Sequence, residues 1–134
     1  MKYAYPAIFT PEEEGGYSIR FTDIEGCYTQ GEDIADGIEM AQDVLALNLY
    51  NLEESGATIP APSMPKDIEC ADGEFVTMIC CDTIEYRKMY DSKAIKKTLT
   101  IPAWLNTMAE NNNINFSLVL QNALKQQLGV NGCL

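Results

Sequence analysis

Residues 93–104 read KAIKKTLTIPAW, a strand-like alternation that ends on a proline. Lys96, Thr98 and Thr100 share one face of an extended chain, and Lys97, Leu99 and Ile101 share the other. Pro102 ends the strand and suits the first position of a helix, which Trp104, Leu105, Met108 and Ala109 mark out before the helix-poor NNN. Asn115 then caps a second helix, with Ile114 and Val119 placed as a hydrophobic staple. Its apolar stripe, Phe116, Val119, Leu120, Ala123, Leu124 and Leu128, runs up to Gly129. A strand followed by two helices in roughly forty residues buries too little apolar surface to offset chain entropy, and a single strand has no internal partner. Residues 95–130 are therefore expected to fold as half of a homodimer joined through residues 94–128. Two such strands would pair antiparallel about a two-fold axis, with further assembly of dimers left open.

A two-stranded ribbon fits the major groove of B-DNA. Its outer face would present Lys96, Thr98 and Thr100 from each chain. Lysine donates to guanine acceptors, and threonine offers a hydroxyl and a methyl. The free N–H groups at the start of the second helix, around Phe116 and Ser117, would hold a phosphate oxygen. Double-stranded DNA is the partner this pattern suggests.

The preceding residues have different periodicities. Tyr3, Tyr5, Ala7 and Phe9 alternate, PEEEGG turns the chain, and Tyr17, Ile19 and Phe21 alternate again, which predicts a hairpin. Pro6 lacks a ladder donor, so it should sit on an edge or at an irregularity. CYTQG adds a third short strand. From Asp33 the step changes: Ile34, Ile38, Ala41, Leu45, Leu49 and Leu52 form one stripe of a long helix, capped by Asp33 and stopped by Gly56 and the prolines beyond it. EFVTMICCD reads as a last strand. The fold class is α+β, in a β-β-β-α-β domain over residues 1–82, a linker over 83–94 and the β-α-α module over 95–130.

Charge divides along the same line. Residues 1–92 hold five Lys/Arg against nineteen Asp/Glu, a balance of −14, and residues 93–134 hold four against one, a balance of +3. Such asymmetry suits a basic partner for the first part and phosphate for the second. Histidine is absent, which removes the commonest general base and metal ligand, and no phosphate-loop, dinucleotide-binding or nucleophile-elbow motif occurs. No enzyme activity, cofactor or metal is expected. Cys27, Cys70, Cys80, Cys81 and Cys133 are odd in number and never spaced as C-x-x-C, so they read as reduced thiols. With no apolar run long enough to span a bilayer and no secretory signal, no membrane partner is expected and the cytoplasm is the expected compartment.

The segments IKKTLTIPAWL and NNINFSLVLQNALKQQLG resemble the C-terminal ribbon-helix-helix module of HicB antitoxins. YPAIF, GGYSIRFTDIEGCYTQGEDIADGIEMAQDVL and IPAPS resemble their N-terminal domain. The resemblance implies a partial ribonuclease H-like N-terminal fold without catalytic acids and a type II toxin-antitoxin system. In such a system the protein binds and silences a small basic HicA-type ribonuclease toxin and represses its own operon. It implies base contacts at Lys96, Thr98 and Thr100 and phosphate contacts at Asn115, Phe116 and Ser117. The toxin-binding surface falls in the acidic domain, around Asp23, Glu25, Tyr28, Glu32 and Asp33. The residues alone leave open a ribbon-helix-helix repressor whose N-terminal domain senses a small ligand.

Overall fold

The structure is a computed structural model that describes residues 1–130; Cys133 lies outside them. The chain divides into two units, Met1–Ser92 and a second that begins at Lys93.

In the first unit, the alternating tyrosines and phenylalanine form β1 (Lys2–Pro11), which is central in a four-stranded antiparallel sheet. It pairs with β4 (Phe75–Asp82) from Lys2↔Asp82 to Phe9↔Phe75 and with β2 (Tyr17–Arg20) from Ile8↔Arg20 to Pro11↔Tyr17. β2 in turn pairs with β3 (Tyr28–Gly31), giving the order β3-β2-β1-β4. Pro6 lies opposite Met78 of β4, in the half of β1 that β2 does not reach. The missing donor therefore faces no second ladder.

One face of the sheet is closed by α1 (Ile34–Ser55), whose N-cap Asp33 accepts a hydrogen bond from the Asp36 amide at 2.8 Å. Gly56 ends it in the left-handed conformation, φ 72°. Tyr5, Ala7, Phe9, Ile19 and Ile79 pack with Ala41, Leu45 and Leu49 into one core. Leu45 and Leu49 are fully buried, and each contributes about 1.5–3 kcal/mol of transfer free energy.

The helix buries Ala41, Leu45 and Leu49 of the predicted stripe and packs Leu52 against the core, but leaves its first two positions out. Ile34 and Ile38 remain 47% and 37% exposed, and Gly37 takes the inward position. A Cβ on Gly31 would lie 2.4 Å from the Gly37 Cα, and one on Gly37 would lie 3.0 Å from Phe9 and Ile19. Helix and sheet approach closely where neither glycine carries a side chain. A pattern that counts apolar side chains cannot register that contact, and the two isoleucines are left at its rim.

The expected linker over 83–94 also differs. Its first eight residues form α2 (Thr83–Tyr90), capped by the Asp82 carboxylate through the Ile84 amide at 2.9 Å. A polar cluster fastens this helix to the rest of the unit. Glu53 of α1 accepts from Tyr3 Oη at 2.7 Å, from Thr83 Oγ1 at 3.0 Å and from Arg87 at 3.2 Å. Arg87 also bridges Glu54 and lies 4.6 Å from the centroid of the Tyr50 ring. Burial would raise the Glu53 carboxyl, but the three donors outweigh it and hold it below the usual range. Burial and the bond to Glu53 push the Tyr3 phenol up to about 12. Cys27 and Cys81 are raised to about 11, chiefly by burial, which keeps them as thiols at neutral pH.

The far end of the β1–β4 pair is braced by Glu74. Its carboxylate accepts from Thr10 Oγ1 at 2.6 Å, from the Ala71 amide at 2.8 Å and from Arg20 at 3.1 Å. Led by the Thr10 bond, these donors lower its pKa to about 2. A carboxyl depressed on folding stabilises the folded state above its ordinary value near 4.5 and loses that contribution as pH falls through about 2. Urea midpoints of the intact chain should therefore decline across that window, and Glu74→Gln should flatten the decline in that window.

Candidate functional site

The expected toxin-binding residues are spread over the β2–β3 connection, the start of β3 and the approach to α1, and the structure gives them unlike roles. Asp23 is half-buried and engaged: its two carboxylate oxygens accept from the Ser63 amide at 2.9 Å and the Ser63 hydroxyl at 2.6 Å. It pins the segment that follows α1 back to the sheet, beside the Pro60 carbonyl that accepts from Tyr5 Oη. Asp33 is occupied as the α1 cap. Glu25, Tyr28 and Glu32 are exposed, Tyr28 at 72%. Among the described residues, no group of three or more His, Cys, Asp or Glu side chains is arranged to hold a metal ion. No described helix is long and apolar enough to cross a membrane.

A second surface escaped the sequence reading because it depends on α2. Between α1, α2 and the ends of β1 and β4 lies a groove of about 700 Å³, lined on the helical side by Asp43, Ala46, Tyr86, Met89 and Tyr90. The Tyr86 ring sits 5.4 Å from Tyr50 and 4.7 Å from Tyr90. Met89 and Tyr90 are 73% and 64% exposed. The signal was present in TIEYRKMY, where Asp82 caps the helix and two tyrosines four residues apart share a face.

In the second unit, α3 (Ala103–Asn111) begins after Pro102, whose carbonyl accepts from the Leu105 and Asn106 amides at 3.1 Å. α4 (Phe116–Leu128) begins at Asn115, whose side chain accepts from the Leu118 amide at 3.1 Å, and ends at left-handed Gly129. The Asn115 side chain is thus used within the helix, which leaves the backbone N–H groups of Phe116 and Ser117 for a ligand. Lys96, Thr98 and Thr100 are all exposed. The segment 93–101 carries no strand assignment, and its backbone makes no hydrogen bond to other described residues. Its apolar residues are uncovered as well. Leu99, Ile101, Trp104, Met108, Val119 and Leu124 are 45–65% exposed. Among its described residues the unit has regular helices and no buried side chain, and so lacks the area that stabilises a domain.

The chain thus joins an acidic α+β domain to a helical module whose apolar face is open. The chain belongs to the HicB-like antitoxin family of bacterial toxin-antitoxin systems, whose sequence profile matches residues 4–71. It is 42% identical over 59 residues to the antitoxin HicB of Escherichia coli K12, a stretch covering 44% of this chain and 43% of that protein. The match therefore spans less than half the length of that relative. Among solved structures, a chain of a toxin-antitoxin complex from Streptococcus pneumoniae superposes with a TM-score of 0.60 at 29% identity, covering 95% of this chain and 99% of that one. A chain of a HicA3 and HicB3 toxin-antitoxin complex superposes with a TM-score of 0.50 at 24% identity over 60% of this chain and 99% of its own.

Asp23 is assigned a bracing role by its geometry. Asp23→Ala should cost about 1–3 kcal/mol through the orphaned Ser63 donors. A urea titration of the variant measures this, and an unchanged midpoint would return Asp23 to the pool of free surface carboxylates.

Proposed function

We propose that the chain is an antitoxin with two binding surfaces and no catalytic role. Its acidic N-terminal unit binds and neutralises a HicA-type mRNA interferase toxin, and its C-terminal unit dimerises as a ribbon-helix-helix and represses its own operon. The observation that carries the first half is membership of the antitoxin family together with a balance of −14 over residues 1–92. An acidic surface of that size accelerates encounter with a basic protein and masks a cationic RNA-binding face without making or breaking a bond. Glu25, Tyr28 and Glu32 are the exposed members of the expected contact set, while Asp23 and Asp33 hold the surface in shape. The likeness to a partial ribonuclease H fold without catalytic acids belongs to the same reading.

The second half rests on the open apolar face of α3 and α4 and on the alternation from 95 to 101. Pairing two copies antiparallel would saturate the main chain of both segments and bring Leu99, Ile101 and Trp104 of each chain into a shared interior. Lys96, Thr98 and Thr100 would then face the bases, and the amides of Phe116 and Ser117 a phosphate. The reverse-signed charge after Ser92 supports this placement.

A single pair of substitutions separates the two activities. Thr98→Ala with Thr100→Ala should relax operator sequence preference by about 1–3 kcal/mol per lost base contact. Footprinting across operator variants reads this, and toxin affinity should be unchanged. An unaltered footprint contradicts the assignment of the base-reading strand.

A further inference from the structure

The geometry points to the outer ridge of α1 and the α2 groove beside it as one docking face, built for a protein that offers lysine or arginine side chains around an apolar patch. The inference deepens the proposed function and rests on its reading of the first unit as the partner-binding unit. Met40, Asp43 and Leu47 follow one another at spacings of three and four along α1, so they form a single ridge. Met40 and Leu47 are 40% and 42% exposed. Asp43 also lines the groove, where it meets Tyr86, Met89 and Tyr90 of α2. Ridge and groove are therefore one continuous surface.

Its composition is that of an interface centre. Two methionines, a leucine and two tyrosines supply broad apolar contact, and an aromatic pair 4.7 Å apart offers ring faces that attract a cation. Glu39, on the turn before Asp43, adds a second carboxylate. Among the described residues, no cation lies within ion-pair distance of Glu39 or Asp43, as for most acids of this unit; what sets the two apart is their place beside the apolar ridge and groove. Unbridged carboxylates set around apolar anchors complement a cationic partner and disfavour an acidic one. Glu32, just before α1, extends the same sign of charge toward β3.

The test uses full-length protein and, as probe, the toxin encoded beside it in a ribonuclease-inactive form, with affinity measured by calorimetry at physiological salt. Glu39→Lys with Asp43→Lys, and separately Tyr90→Ala, should each weaken binding by about tenfold or more. Glu13→Lys with Glu14→Lys, which makes the same change in net charge at the hairpin tip, should weaken it less than about twofold. Tyr90 is largely exposed, so its variant keeps the fold intact if charge reversal disturbs α1. Equal losses in the two charge-reversed proteins, or no loss for Tyr90→Ala, would overturn this face and leave general electrostatic attraction. Loss confined to Glu25→Lys with Glu32→Lys would move the contact to the β3 side. Failure of the unaltered protein to bind would overturn the toxin-binding reading itself.

Discussion

The molecule turns on an imbalance in its last forty or so residues between what the chain can cover and what it exposes. α4 is capped by Asn115 and Gly129, and α3 follows Pro102 with no side-chain cap at its start. Their apolar faces nonetheless remain open, and the backbone of 93–101 makes no hydrogen bond to other described residues. Local order without an interior is unusual, because tertiary packing of an amphipathic face supplies most helical stability. On the reading proposed, a second copy supplies that packing, and DNA recognition is then a property of the dimer.

The first unit has the opposite character. It closes its own core around Leu45 and Leu49, and its polar links are complete in the described residues: every buried side-chain nitrogen or oxygen has a partner. The Glu53 cluster extends that self-sufficiency to α2, where one carboxylate gathers Tyr3, Thr83 and Arg87. A unit that is internally satisfied has its remaining charges available for a partner. On the reading proposed, the two units suit different kinds of binding, one through a preformed acidic surface and one through an interior that would assemble with its mate.

Much of this was legible in the sequence, for identifiable reasons. The hairpin, the third strand, the long helix and the last strand were announced by clean changes of period, and Asp33, Gly56, Asn115 and Gly129 cap the helices where their chemistry requires. Two features were hidden. The helix stripe holds from Ala41 onward but not in its first turn, where Gly31 and Gly37 let helix and sheet approach closely and glycine is silent in a hydrophobic pattern. α2 is weakly signalled because it has only eight residues, and its docking depends on a carboxylate thirty residues earlier in the chain. Of the five residues expected at the toxin surface, sequence could not reveal that Asp23 is bound to Ser63, a contact between positions forty apart.

The central claim, that residues 94–101 find their partner in another molecule, is tested most directly by mixing isotope-labelled and unlabelled full-length chains and recording filtered nuclear Overhauser spectra. The account predicts intermolecular cross-peaks between the two copies along Ala94–Ile101, with Trp104 indole protons contacting the opposite chain. Spectra in which every contact of that segment lies within one molecule would contradict it.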